Sequence, residues 1–120
     1  GVENTNYKID TTTGTFILTL FEKRVDKQAL PFYLNFMQAL GDAGIPTADV
    51  IATKTDDNTA TLAGKTSLVT RFLQGAWQRH PTLEHTHAIG VMLGRMHMVG
   101  RAMKQERANA MSLPAWQSLI

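Results

Sequence analysis

The sequence predicts an α+β domain: a mostly antiparallel sheet with one helix packed on it, followed by a long helix. Three observations predict it. Two strand-like runs near the start are separated by Thr11-Thr-Thr-Gly14, which is turn chemistry. Apolar residues then recur at helical spacing over residues 27–43. Three short strand-like segments follow, and after them a second and longer helical pattern.

Residues 5–10 alternate loosely, with Tyr7 and Ile9 on one face. Residues 15–21 are rich in β-branched and aromatic types and read as the partner strand of a hairpin. Glu22-Lys-Arg-Val-Asp26 is a polar connection into a helix over 27–43, with Leu30, Tyr33, Leu34, Met37 and Leu40 on its apolar face. Pro31 suits the first turn, where no backbone donor is needed. Asp26 or Gln28 is available as the cap, Gly44 ends the helix and Pro46 stops its continuation. Residues 49–53, 59–62 and 66–73 read as strands, with turns at Asp56-Asp-Asn58 and Ala63-Gly-Lys65. Gln74-Gly75 marks a break, and a long helix is expected over 83–105. Ile89, Met92, Leu93, Met96, Val99 and Met103 form its core stripe, widened by Val91, Met98 and Ala102. Gly90 and Gly94 each cost roughly 1 kcal/mol against alanine in a helix, which a close backbone approach would explain. The tail from Ala108 to Ile120 carries Leu113, Trp116, Leu119 and Ile120 around Pro114.

Composition removes several function classes. The chain has 120 residues, enough for one domain or a piece of a larger protein. Hydrophobic residues make up 43% and charged residues 18%, which argues for a packed globular chain rather than disorder. A net charge of +2, with basic residues scattered, gives no nucleic-acid footprint. Without cysteine there are no disulfides or thiolate metal sites, and a cytoplasmic location fits. No apolar run approaches the roughly 18 residues of a membrane span. The chain opens on Gly1 without an initiator Met, so an N-terminal truncation is expected.

The residues point further than the class. Gly1-Val-Glu-Asn-Thr-Asn-Tyr7, Phe16-Ile-Leu-Thr-Leu-Phe-Glu22, Leu30-Pro-Phe-Tyr-Leu34, Ala43-Gly-Ile-Pro46, Leu68-Val-Thr-Arg-Phe-Leu-Gln-Gly75 and Gly90-Val-Met-Leu-Gly-Arg-Met-His97 stand in a telling order. In these motifs, over about residues 1–100, the sequence resembles the homoserine kinases of the aminoglycoside phosphotransferase and choline kinase superfamily. The first motif is specific to the homoserine kinase branch and the others belong to the superfamily. The resemblance implies a protein-kinase-like small lobe over 1–73 that binds nucleotide, a hinge or linker over 74–81, and the start of the large lobe over 82–120, with the remainder absent. It implies ATP-dependent phosphorylation of the homoserine hydroxyl on the route to threonine, with ATP and Mg²⁺ as cofactors and an amino-acid-like substrate as partner.

It also implies roles for particular residues. Asn4, Thr5 and Asn6 would lie over the ATP phosphates; as residues alone, without the later motifs, they read instead as a polar turn entering a strand. Ile17 would face the adenine, or simply pack in the core. Thr70, Arg71, Phe72 and Leu73 would be the hinge whose backbone meets the adenine edge, or an edge strand and linker. Two departures accompany the match. The position that carries the phosphate-binding lysine in kinases of this fold holds Thr19, and the position of its glutamate partner holds Tyr33. Lys8 or Lys23 could supply a charge. The family's catalytic loop, His-x-Asp-x-x-x-x-Asn, and its metal-binding Asp have no counterpart, since no Asp follows Asp57 and the last acidic residue is Glu106. The isolated chain is therefore expected to be inactive, with neither catalytic residues nor metal ligands of its own.

Other constellations carry less. His85 and His87 point to different sides of a helix, and His97 reads as structural, so no metal site is expected. A second function class stays open. The apolar faces around Gly90 and Gly94 suit a non-catalytic nucleotide-binding or self-associating module, a homodimer through the long helix.

Overall fold

A computed structural model describes residues 4–22, 27–109 and 112–117. The expectations for Gly1 to Glu3, Lys23 to Asp26, Leu119 and Ile120 lie outside the described residues. The fold is α+β, with an antiparallel sheet and helices in the order the sequence predicts and consistent with a kinase-like small lobe.

Strands β1 (Asn4–Thr11) and β2 (Gly14–Phe21) form the expected hairpin, with Asn6 opposite Thr19 and Lys8 opposite Ile17. Its turn is held by side chains: the Thr11 hydroxyl donates to the Gly14 carbonyl at 2.8 Å and accepts from the Thr13 N–H at 3.2 Å. Strand β5 (Lys65–Arg71) lies at the centre. It pairs with β2 on one side and with β3 (Val50–Ile51) and β4 (Ala60–Leu62) on the other. The β4–β5 turn places Ala63 and Gly64 at φ 50° and 74°, the left-handed pair that a two-residue hairpin needs.

The strand expected over 49–53 is short because Thr53 leaves the ladder. Its N–H donates to the Asp57 carbonyl at 2.8 Å, and its hydroxyl accepts from the Asp57 N–H at 3.1 Å, folding residues 53–57 into a closed turn. The strand expected over 66–73 stops at Arg71.

Helix α1 (Leu30–Asp42) follows a 3₁₀ turn, Lys27–Ala29. Its N-cap is Ala29, with no capping side chain; Pro31 in the first turn removes one donor that would need a partner. Its C-terminus closes in a Schellman arrangement. The Ile45 N–H donates to the Leu40 carbonyl and the Gly44 N–H to Gly41, both at 2.9 Å, with Gly44 at φ 68°. Leu40 and Ile45, the apolar pair of that motif, are both 4% exposed. Ala29 and Leu30 are the other buried apolar residues among those described, and Ser67 and Thr70 on β5 are buried as well. Tyr33 was expected on the apolar face but is 43% exposed, at the flank of the stripe. There Arg107 lies 5.2 Å from its ring centroid, so the ring is covered while its edge stays wet.

Helix α2 (Leu83–Ala102) begins in a capping box. The Thr82 hydroxyl accepts from the His85 N–H at 3.3 Å, and His85 Nδ1 accepts from the Thr82 N–H at 3.0 Å. The stripe expected to be core is not buried: no α2 residue is, and Ile89 and Met98 are each 66% exposed. Among the described residues nothing from another element comes within 4 Å of a Cβ placed at Gly90 or Gly94, so the expected close approach is not found there. The close approach falls at Gly100 instead, where a Cβ would stand 3.7 Å from Phe36 of α1. Two hydrogen bonds add to this contact: Arg95 of α2 donates to the carbonyl of Ala43, just past α1, at 3.3 Å, and Asn35 of α1 donates to Gln105, just past α2, at 3.0 Å. A five-residue helix α3 (Leu113–Gln117) lies in the tail, with Leu113 and Trp116 exposed. Among the described residues no helix is long and apolar enough to cross a membrane.

Candidate nucleotide-binding site

Side chains alternate across a strand, so the registers of β1, β2 and β5 sort the candidate residues onto two faces. Asn4, Asn6, Lys8, Ile17, Thr19, Thr70 and Phe72 share one face. Thr5, Glu22, Lys65 and Arg71 share the other. The contacts agree. Thr19 donates to Asn6 Oδ1 at 2.7 Å, and the Lys8 ammonium lies 5.1 Å from the Phe72 ring centroid. On the opposite face Arg71 stands 6.0 Å from the Phe16 ring centroid.

The first face is polar and open along β1. Asn6 and Lys8 are exposed, whereas Thr70 on β5 is buried. Leu30, Leu34 and Asn35 of α1 line a cavity with Thr66 of β5, which places the helix toward the β5 end of this face. Asn4 Oδ1 is buried without a hydrogen-bond partner among the described residues. An unpaired buried polar atom costs on the order of 1–3 kcal/mol. A half-turn of the amide would present its NH₂ at the same point instead, so Asn4 can offer an acceptor or a donor to a ligand.

The second face is neutralised. Glu22 accepts from Thr5 at 2.9 Å and from Lys65 at 2.8 Å, and its other oxygen lies 2.7 Å from the same ammonium. The Lys65 hydrogen bond, then the Thr5 hydrogen bond, hold the Glu22 carboxyl below its ordinary range. Arg71 pairs with Asp49 at 3.6 Å. A Lys–Glu pair is thus present, and strand alternation puts it on the side away from Thr19.

Thr70 and Arg71 belong to β5, while Phe72 and Leu73 leave it. The Arg71 N–H donates to the Asp49 carbonyl at 2.8 Å and the Phe72 N–H to Thr15 at 3.1 Å, so both are engaged in the sheet. Leu73, 48% exposed, is the first residue past these bonds. The Lys65–Glu22–Thr5 cluster escapes sequence reading because the residues are separated by 43 and 17 positions and meet only through register. His85 caps α2. Among the described residues no group of three acidic or histidine side chains could hold a metal ion.

Residues 1–119 match the model of the phosphotransferase enzyme family. The chain belongs to that family. It is 43% identical over 120 residues to a homoserine kinase of Rhodopseudomonas palustris (strain TIE-1), covering 100% of this chain and 37% of the relative. It is 41% identical over 120 residues to a homoserine kinase of Nitrobacter winogradskyi, covering 100% and 37%. A homoserine kinase of Brucella anthropi is 40% identical over 119 residues, covering 99% and 36%. The chain therefore spans little more than a third of the length of these relatives.

Proposed function

We propose that this chain is the nucleotide-binding section of an ATP-dependent small-molecule kinase, cytoplasmic, that phosphorylates the side-chain hydroxyl of homoserine in threonine biosynthesis. The observation that carries the reading is similarity along the whole chain, 43% over 120 residues, to a protein named homoserine kinase. ATP, with Mg²⁺, supplies the phosphoryl group. Asn4 and Asn6 face the phosphates and Thr5 anchors the same segment from behind, through Glu22. Ile17 and Phe72 cover the adenine from the sheet, with Thr70 buried on the same face across from Ile17 and Arg71 turned to the far face. Because the Arg71 and Phe72 N–H groups are engaged, Leu73 is the hinge residue whose backbone meets the adenine edge. The small lobe is residues 1–73, the linker 74–81 and the start of the large lobe 82–120.

Phosphoryl transfer depends on positioning and charge neutralisation. The chain holds residues that position a nucleotide, but no Asp after Asp57 to orient an acceptor hydroxyl or bind metal. Alone it binds ATP weakly and turns nothing over. Titration of the ¹⁵N-labelled chain with ATP, with shifts confined to β1, β2 and residues 70–74, tests binding; no shift at saturating nucleotide would overturn the reading. A coupled ATP-to-ADP assay with homoserine tests inactivity, and turnover well above background would refute it.

The exposure of Ile89, Val91, Leu93 and Met98 on α2 favours a second reading, self-association of the chain through that helix. Light scattering that returns a strict monomer with a cooperative melt would exclude it.

A further inference from the structure

A kinase-like nucleotide face needs a cation, and the position where the fold would carry one holds Thr19, whose hydroxyl is given to Asn6 at 2.7 Å. Strands β1, β2 and β5 contain three basic residues: Lys8, Lys65 and Arg71. Register and alternation separate them. Lys65 and Arg71 lie on the far face, each beside a carboxylate, Glu22 at 2.7 Å and Asp49 at 3.6 Å. Lys8 is the basic residue that these strands place with Asn6, Ile17 and Thr19.

Its present contacts hold it loosely. The ammonium is 3.9 Å from Asp10, the side chain is 55% exposed, and the Phe72 ring is 5.1 Å away. An exposed pair of that kind contributes little. Lys8 stands directly across from Ile17, so Thr19 is its diagonal neighbour. Diagonal neighbours sit about 7–8 Å apart, within reach of a lysine on its flexible four-carbon stem.

We infer that Lys8 supplies the positive charge that Thr19 does not, moving its ammonium from the Phe72 ring along the strand pair to the phosphate groups of a bound nucleotide. The inference rests on the nucleotide-binding reading above and adds to it a binding residue on β1 in place of one on β2.

The test compares ATP with adenosine on the intact chain by ¹⁵N-detected titration, for wild type, Lys8→Met and Lys8→Arg. Methionine keeps an apolar stem of similar length at an exposed site, so the fold is retained; an unchanged thermal midpoint checks this. The expected result is ATP affinity about tenfold weaker in Lys8→Met, the scale of one lost charge-assisted contact, with adenosine affinity unchanged and ATP affinity restored in Lys8→Arg. Raising salt should weaken ATP binding less in Lys8→Met than in wild type. Wild-type binding with an unchanged ATP-to-adenosine ratio in Lys8→Met would overturn the inference and leave the nucleotide reading standing. A wild type that binds neither compound would overturn both.

Discussion

On the face that carries Thr5, Glu22, Lys65 and Arg71, charge is neutralised within the sheet: one carboxylate takes Thr5 and Lys65, another takes Arg71. On the face that carries Asn4, Asn6, Lys8 and Thr19, an amide oxygen is buried without a partner among the described residues and an ammonium rests 3.9 Å from the Asp10 carboxylate. The same three strands build both faces, residue by residue in alternation. The difference teaches that polar composition does not locate a site. What distinguishes the two faces is whether the polar groups already satisfy one another, because a group already hydrogen-bonded gains little from a ligand.

The contrast can be broken or sharpened by substitution. The largest effect belongs to the support common to both faces. Leu40→Ala removes a buried side chain from the Schellman end of α1 and should destabilise the chain by about 2–5 kcal/mol in urea melts, weakening nucleotide binding only through unfolding. A loss below about 1 kcal/mol would show that the small core is not what supports the sheet. Next comes a substitution that touches neither face. Thr82→Ala removes the α2 N-cap and should cost about 1 kcal/mol by the same melts, with ATP-induced shifts in β1 and β2 unaltered. Altered shifts would mean that α2 helps form the nucleotide face.

A smaller effect on stability is expected from the open face itself. Thr19→Val deletes the bond to Asn6 at an exposed cross-strand pair, worth about 0.2–1 kcal/mol, yet should perturb ATP-induced shifts at Asn6. The smallest effect at neutral pH comes from the neutralised face, and there the sign is informative. The Glu22 carboxyl is held below its ordinary range by Lys65 and Thr5, so its contribution is fully present above the unfolded carboxyl value. That contribution is lost as pH falls through the lower folded value. Glu22→Gln removes that contribution, so it should lower the thermal midpoint slightly at pH 7 and flatten the acid limb, its curve converging with wild type as pH falls. An acid limb as steep as in wild type would show that the Glu22 cluster does not respond to pH as proposed.

Much of this protein could be read before folding. The hairpin, α1 with Pro31 in its first turn and Gly44 after its end, and the start of α2 near Leu83 follow from local physics: turn chemistry, β-branched runs and apolar periodicity act within a few residues. The motifs that place the chain in the phosphotransferase family are likewise local runs of sequence. Other features needed the tertiary structure. The stripe on α2 has helical periodicity, but periodicity cannot say whether a partner covers it, and Ile89 and Met98 stand exposed. Gly90 and Gly94 suggested a close approach that occurs at Gly100 instead, because α1 meets α2 near its far end. His85, a metal candidate by residue type, caps a helix because Thr82 stands three residues before it in the right geometry.

The candidate site shows the same division. The sequence by itself determined that residues 4–8 are polar and that no Asp follows Asp57. Only the tertiary structure decided which residues share a face. A shift of one residue in strand register would move every side chain of a strand to the other side. The observed registers join Glu22 to Lys65 across 43 positions on one side and leave Lys8 beside Asn6 and Thr19 on the other.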